Sequence, residues 1–423
     1  MKKTTLSNGL RVVTHKLEST KAVTVLVLVG AGSRYENKEI SGISHFLEHM
    51  FFKGAEKYKD AKAVSGAIDS VGGDFNAFTG KEYAGYYVKV ASEKVDTAFD
   101  VLSDMMLHAR FDQHEIDKER GVILEEYNMY QDTPMYQIGW NYENLMFGDQ
   151  PLGWDEIGEK EVIERVNHED FVEYKEKLYT SDNTVVVVAG NIAHDEALEK
   201  VEKFFAMERG EKAYDFEKYS PLIGDAPRVH LKEKKTEQAH LVIGVEAYSE
   251  THPDHWVLKL LSVILGGNMS SRMFLNVREA HGLAYYIRTN TDDYVDTGLI
   301  STTAGVDIKR AEMAVEKIVE QYGMIAKAGE IDADELAKAK SFLKGKMILS
   351  LEDSEEYAHL LAKFELLHKD VMTPDEIMRE INAVSLADVE RVAADLFGDS
   401  SRLKMAIIGP YSDPKVFERL LKY

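Results

Sequence analysis

The sequence predicts an α+β protein of two homologous domains, each a mainly antiparallel sheet covered by helices. The chain has 423 residues, more than a single hydrophobic core usually holds. Each half contains strand-like and helix-like patterns in the same order, at an offset of about 215 residues, which indicates an internal duplication. The strand patterns form hairpin-like runs beside segregated helices, which favours antiparallel sheets.

The internal repeat includes three pairs of similar segments, besides a pair of helices discussed below. Each half begins with a β-branched strand-like run, continues with an acidic helical segment and closes with a helix followed by a strand. The pairs are residues 22–33 and 239–249, residues 114–132 and 329–347, and residues 166–191 and 384–410. A break with Gly210, Pro221, Gly224 and Pro227 separates the halves. We predict a first domain over residues 1–208, a linker over 209–228 and a second domain over 229–423.

Composition and charge exclude several classes of protein. The formal net charge of −22 argues against nucleic acid or an anionic membrane as a partner. The chain has no cysteine, which excludes disulfides, thiolate metal sites and cysteine nucleophiles. No apolar run approaches the roughly 18 residues of a membrane-spanning helix. The first residues also lack the apolar segment of a signal peptide. We therefore expect a cytoplasmic protein.

The segment GISHFLEHMFFKG, residues 42–54, is the candidate site for chemistry. On a helix, His45 and His49 lie about 40° apart, so both imidazoles can face one point, as zinc ligation requires. Glu48 lies within reach of a water molecule beside such a metal but is poorly placed as a third ligand. The alternative is a chance cluster of polar residues in a helix that packs into a core.

The duplication provides an internal control for this motif. The matching helix of the second half contains VLKLLSVIL, residues 257–265, which has no metal ligand at the corresponding positions. The helix therefore does not need the two histidines and the glutamate in order to fold. We interpret the motif of the first half as functional. Isolated histidines elsewhere, including His255, are interpreted as ordinary core or surface residues.

A further ligand is needed, because catalytic zinc usually has three protein ligands and one open position. The best candidate is Glu126, in the helical segment at residues 114–132. Glu119 lies seven residues earlier and nearly on the same face, so one carboxylate can ligate while the other orients a ligand. Glu125 points about 100° away and is expected in solvent. Two histidines and a glutamate favour zinc, although manganese or cobalt could occupy the same site.

These residues resemble the pitrilysin/insulinase family of zinc metallopeptidases, whose signature is H-x-x-E-H with a distal glutamate. In that family the distal ligand follows the second histidine by about 77 residues, as Glu126 follows His49, and a glutamate stands seven residues before it. Residues 72–79, GGDFNAFT, are similar to the family's G-G-x-x-N-A-x-T segment. The resemblance covers essentially the whole chain and is to the two-domain type related to mitochondrial processing peptidase subunits.

The resemblance implies a role for each matching residue of the first domain. Glu48 would be the general base, and Glu119 would support the site. One zinc ion per chain would be held by His45, His49 and Glu126. An extended peptide would pair with an edge strand that contains Asn76, Ala77 and Phe78.

The resemblance also implies a role for the second domain, which would not bind the metal. Arg278 and Tyr285, seven residues apart, match an Arg and Tyr pair that contacts the substrate backbone and the developing oxyanion in the family. Taken alone, these two residues would be a surface charge and a packed aromatic ring.

The function that follows is a zinc-dependent endopeptidase acting on unfolded peptides in a chamber formed by a dimer. Because one chain carries both the HxxEH motif and the Arg/Tyr pair, we expect a homodimer. A heterodimer with a non-catalytic homologue is the main alternative assembly. The alternative function is a catalytically silent peptide-binding or structural subunit of a heteromeric complex.

Overall fold

The computed structural model describes residues 1–222 and 226–423. Residues 223–225, which include Gly224 of the predicted linker, lie outside the described residues. The described chain divides into two compact units. The first unit comprises Met1–Asn128, Asp155–Glu217 and Ile348–Thr373, and the second comprises Met129–Trp154, Lys218–Met347 and Pro374–Tyr423.

The first unit is built on a six-stranded sheet. Its strands are β1 (Lys2–Thr5), β2 (Arg11–Lys16), β3 (Ala22–Val29), β4 (Asp74–Thr79), β5 (Ala84–Ala91) and β6 (Thr184–Gly190). The strand order is β1-β2-β6-β3-β5-β4, and β2 and β6 are parallel while the other neighbours are antiparallel. The sheet is therefore mainly antiparallel, and β4 forms one of its edges.

The second unit is built on a five-stranded sheet. Its strands are β7 (Val229–Glu233), β8 (Gln238–Ala247), β9 (Ala284–Asp293), β10 (Gly298–Asp307) and β11 (Lys404–Gly409). The order is β7-β11-β8-β10-β9, and here too one pair, β7 and β11, is parallel while the others are antiparallel. In chain order this is 1-5-2-4-3, the same order that β2 to β6 follow in the first unit. The shared topology confirms the predicted fold class of two related α+β domains.

Helices account for most of the remaining chain. In chain order they are α1 (Ile43–Phe51), α2 (Ala61–Asp69), α3 (Val95–His108), α4 (Gln113–Asp132), α5 (Pro134–Phe147), α6 (Lys160–Ile163), α7 (His168–Leu178), α8 (His194–Phe204), α9 (His255–Gly266), α10 (Ala311–Ile325), α11 (Ala333–Ser350), α12 (Ser354–Leu367), α13 (Pro374–Ala383), α14 (Leu386–Phe397) and α15 (Lys415–Glu418). Within the described ranges, each helix is too short or too polar to span a lipid bilayer.

Each unit contains a helix from the other half of the sequence. In the first unit, α12 buries Tyr357, Ala358, Leu361 and Ala362 against strand residues that include Leu26. In the second unit, α5 packs on β11 and β8. The predicted domains, residues 1–208 and 229–423, correspond to the two duplicated halves of the sequence, and their bounds stay a prediction. The compact units differ from those halves by the exchange of residues 129–154 and 348–373.

Polar contacts fix α12 on the first sheet. Lys89 on β5 pairs with Asp353, the N-cap residue of α12, at 2.6 Å. Glu365 has a fully buried side chain and pairs with Lys3 at 2.7 Å and with Arg11 at 3.5 Å. Because a buried carboxylate is costly without partners, these two cations specify where α12 lies.

The exchange of α12 predicts that a residue of the second half stabilises the first sheet. Leu361 is fully buried in the core of the first unit, so Leu361→Ala should lower the free energy of unfolding by about 2–5 kcal/mol. We also expect faster amide hydrogen exchange in β3 and β6. The matched control is Leu349→Ala in the same unit, because the Leu349 side chain is 68% exposed. Equal stability of the two variants in urea unfolding would contradict this packing.

Candidate metal centre

Helix α1 presents its two histidines on the face opposite its apolar one. Phe46, Leu47 and Met50 are buried in the core of the first unit. The rings of His45 and His49 lie one turn apart with centroids 4.9 Å from each other. The i, i+4 spacing therefore produces the predicted pair of imidazoles.

The start of α1 is fixed by a buried carboxylate. Glu36 accepts hydrogen bonds from the backbone N–H groups of Gly42 at 2.7 Å and Ser44 at 2.8 Å. These are unpaired amides of the first helical turn, where a negative charge is also favoured by the helix dipole. Burial raises the pKa of Glu36 to about 7, while the hydrogen bonds with Ser44 and Gly42 oppose that increase.

Position 42, the N-cap of α1, requires glycine because of its backbone conformation and the close approach of a neighbouring residue. Its φ of 92° lies in the left-handed region, which side chains other than glycine rarely adopt. A Cβ atom at this position would lie 2.4 Å from the carbonyl oxygen of Ile157. Any other residue at position 42 would therefore shift the beginning of the histidine helix.

Helix α4 brings the third candidate ligand to the two histidines. Glu126 Oε1 lies 3.7 Å from His45 Nε2, and Glu126 Oε2 lies 3.7 Å from His49 Nε2. One ligand atom from each of the three residues lies within 4.8 Å of the other two. Glu125 is exposed, as its position on the helix predicts.

Glu119 was predicted to act either as a metal ligand or as a support for one. It contacts Nδ1 of His49, whereas Glu126 lies near Nε2 of the same ring. Glu119 Oε1 lies 2.9 Å from His49 Nδ1, and Glu119 Oε2 lies 2.6 Å from Lys53 Nζ. Burial opposes the ionisation of Glu119, but hydrogen bonds from His49 and Lys53 hold its pKa below the usual range. An ionised Glu119 can only accept a hydrogen bond, so Nδ1 of His49 is the donor and Nε2 is the nitrogen left to face Glu126.

The protonation of His45 also suits metal binding. Burial, with a smaller contribution from the neighbouring His49, lowers the pKa of His45 to about 3. His45 is therefore a neutral imidazole near pH 7, the form that binds metals. Two imidazole nitrogens and one carboxylate match the donor set of a zinc site. The residues fit the metal that the sequence predicts.

Glu48 points to a different neighbour. Its Oε2 accepts a hydrogen bond from Thr79 Oγ1 at 2.6 Å. Burial raises the pKa of Glu48, while the bond from Thr79 and the proximity of His49 partly offset that increase. A carboxylate with a raised pKa is a stronger base than an exposed one, which suits a proton acceptor.

The predicted substrate strand is an edge strand. Asn76, Ala77 and Phe78 lie on β4, which ends the sheet of the first unit. The ring of Phe78 lies over Gly85 on β5, where an added Cβ would come within 2.1 Å of the ring. Phe78 thus packs onto its own sheet through its side chain.

Arg278 and Tyr285 belong to the second unit. Arg278 lies in a π-helical segment, Phe274–Glu279, with its guanidinium 4.7 Å from the ring centre of Phe274. Tyr285 lies at the start of β9, and its side chain is 75% exposed. An exposed tyrosine of this size is available to contact another molecule, and its role toward the substrate stays a prediction.

Three residues of the site were missed by sequence reasoning. Thr79 holds Glu48, Lys53 holds Glu119, and Glu36 fixes the start of α1. Thr79 could have been found, because it is the last residue of the GGDFNAFT segment. Glu36 and Lys53 carry no signal in the sequence that distinguishes them from other charged residues.

Comparison with known proteins places this chain in a family. The insulinase model (peptidase family M16) matches residues 11–153, and the peptidase M16 inactive domain model matches residues 165–343. A protein of Bacillus subtilis named uncharacterized zinc protease YmxG is 38% identical over 97% of this chain and 98% of its own length. A similarly named protein of Streptomyces coelicolor is 34% identical over 98% of this chain and 90% of its own length.

Solved structures agree with the sequence comparisons. A protease from Helicobacter pylori matches with a TM-score of 0.90 and 26% identity, over 97% of this chain and 99% of that one. A chain from complex III2 of Candida albicans has a TM-score of 0.84 at 18% identity, over 99% of both chains, and shows the fold alone. The fold and the candidate site define a two-domain protein of the M16 type. The chain belongs to the insulinase family, peptidase family M16, which confirms the resemblance found in the sequence.

The contact between Glu119 and His49 predicts the metal affinity of a variant. Glu119→Gln keeps a hydrogen-bond acceptor for Nδ1 but removes the charge, so we expect zinc affinity to fall roughly 10- to 100-fold. Competition with a zinc-binding dye measures this. The matched control is Glu125→Gln on the same helix, which should bind zinc like the unaltered chain. Unchanged affinity in Glu119→Gln would show that this carboxylate does not orient His49.

Proposed function

We propose that the chain is a zinc-dependent endopeptidase that hydrolyses peptide bonds in unfolded peptides. The observation that carries the proposal is the convergence of His45, His49 and Glu126, with Glu48 nearby on the same helix. Relatives of nearly the same length, named as zinc proteases, support it. The model described as an inactive domain matches residues 165–343, which accords with the lack of metal ligands at the matching positions of helix α9.

In this proposal, His45, His49 and Glu126 of each chain would together hold one zinc ion. When bound, it supplies a Lewis acid that polarises the scissile carbonyl and makes water more acidic. Glu119 and Lys53 keep the His49 ring in one orientation, so the site needs little rearrangement to bind the metal. Preformed ligand positions raise affinity, since less conformational entropy is lost on binding.

Glu48 is the proposed general base. It takes a proton from the attacking water and later passes that proton to the amine of the departing peptide. The hydrogen bond from Thr79 leaves one oxygen of Glu48 for this task and limits rotation of the carboxylate. Because α1 carries both Glu48 and the histidines, one rigid element sets the distance between base and metal.

The substrate is proposed to add a strand to the sheet of the first unit. Thr79 ends β4, so a peptide paired along Asn76, Ala77 and Phe78 would extend toward the Glu48 side chain. Backbone pairing of this kind requires an extended chain, which selects unfolded peptides over folded proteins. Nucleic acid and anionic membranes are not among the proposed partners, because the net charge of −22 would repel them.

A homodimer is proposed to complete each active site. Each chain carries both the HxxEH motif and the pair Arg278 and Tyr285, so two copies could exchange these contributions. In that arrangement Tyr285, assisted by Arg278, would stabilise the developing oxyanion of a substrate bound in the partner's site. The absence of cysteine from the sequence accords with the cytoplasm as the location.

Glu48→Gln tests the proposed chemistry. The variant keeps the shape of the side chain but cannot accept the proton, so cleavage of a quenched fluorescent peptide should fall roughly 100- to 10,000-fold. Zinc content should stay that of the unaltered chain, and a chelator should abolish cleavage in both. Glu125→Gln serves as the control with normal activity. A zinc-loaded dimer that cleaves nothing in a diverse peptide library would instead favour a catalytically silent subunit.

Mixing two inactive variants tests the shared active site. Glu48→Gln alone and Arg278→Ala/Tyr285→Phe alone should each be inactive. After subunit exchange of an equal mixture, half of the dimers are mixed and each has one intact site, so activity should return to about one quarter. No recovery, with exchange verified by a labelled subunit, would contradict the proposal that the partner supplies these residues.

A further inference from the structure

A second group of candidate metal ligands lies in the second unit, apart from the residues assigned to peptide hydrolysis. One ligand atom from each of Glu250, His255 and Asp293 lies within 4.8 Å of the other two. The group combines an imidazole with two carboxylates, so it is not merely an acidic cluster. We propose that these three residues form a second binding site, which holds a divalent transition-metal ion with a structural role.

The three residues come from three different elements of the second unit. Glu250 lies in the connection that follows β8, His255 is the first residue of α9, and Asp293 is the last residue of β9. The connection is already joined to the end of β9, because the backbone N–H of Glu250 donates to the carbonyl oxygen of Tyr294 at 2.8 Å. The fold therefore brings the three side chains together without a metal.

Burial makes this cluster unlike a solvated group of acids. Glu250 is 6% exposed and His255 is 9% exposed. The side chain of Asp293 is 6% exposed. Two carboxylates withdrawn from water side by side are costly unless cations or hydrogen-bond donors compensate them.

The contacts of Asp293 are the observation that indicates a cation-binding site. Its Oδ2 pairs with Lys259 Nζ, which also donates to Thr291 Oγ1 at 2.6 Å. Its Oδ1 is buried and has no hydrogen-bond partner within the described ranges. Lys259 thus occupies one side of the carboxylate, and the second oxygen remains for a metal ion beside His255 and Glu250.

The donor set defines the class of ion. One imidazole nitrogen and two carboxylate oxygens suit first-row divalent ions such as Zn²⁺ and Mn²⁺. Bonds of about 2.1 Å allow at most about 4.2 Å between two ligand atoms on opposite sides of an ion. Ligand atoms within 4.8 Å of one another therefore need to approach by at most about 0.6 Å when an ion binds. A bound ion would join α9, the end of β9 and the connection after β8.

The test uses the full-length chain with the first centre removed. In His45→Ala/His49→Ala, metal-free protein is loaded with Zn²⁺ alone or Mn²⁺ alone, and metal per chain is measured by mass spectrometry after gel filtration. We expect about one equivalent to remain bound and the unfolding temperature to rise with metal concentration. No bound equivalent with either ion would overturn the proposal, whether or not the chain is a peptidase.

Two further variants assign the bound ion to this cluster. Adding Asp293→Asn or Glu250→Gln to the double variant should abolish the remaining equivalent and the metal-dependent rise in unfolding temperature. Adding Glu316→Gln, an exposed carboxylate of the same unit, should leave both unchanged. Circular dichroism shows which variants are folded. One folded variant, Asp293→Asn or Glu250→Gln, is enough to decide whether the ion binds at this cluster. An equivalent that survives both ligand substitutions would place the ion elsewhere and contradict the assignment.

Discussion

The carboxylate of Glu36 at the start of α1 is the contact on which the candidate metal centre depends. Two backbone N–H groups of the first turn donate to it, and Gly42 allows the chain to enter the helix close to the backbone of residue 157. This buried contact sets the axial position and rotation of α1. The directions of His45, Glu48 and His49 all follow from it. The metal ligands on one short helix are therefore specified by polar contacts as well as by apolar packing.

Helix α4 supplies the complementary half of the centre. Its seven-residue spacing places Glu119 and Glu126 on one face, and the two carboxylates contact opposite sides of the His49 ring. Hydrogen bonds from Lys53 and His49 hold the pKa of Glu119 below its usual range, which keeps that carboxylate ionised. The result is an arrangement in which the ligands already converge before an ion is present. That preformed geometry is what the family membership alone could not have established for this chain.

Helical periodicity was sufficient to predict α1, α4 and the direction of their site residues, because these depend on spacing within one element. The repeated order of segments predicted two related sheets. The exchange of α5 and α12 between the units could not be predicted, since an amphipathic helix does not encode which sheet covers its apolar face. Glu36 was missed because a capping carboxylate seven residues before the first residue of the helix has no periodic signal. The pair Arg278 and Tyr285 entered through family resemblance alone, and their role stays a prediction.

The direct test of the central claim is anomalous X-ray scattering at the zinc edge from crystals of the zinc-loaded chain. We predict a peak about 2.0–2.2 Å from His45 Nε2, His49 Nε2 and an oxygen of Glu126, while Glu119 contacts only Nδ1 of His49. A peak bound by Glu119 in place of Glu126 would reverse the roles of the two carboxylates. Zinc-loaded crystals without a peak at α1 would contradict the metal centre itself.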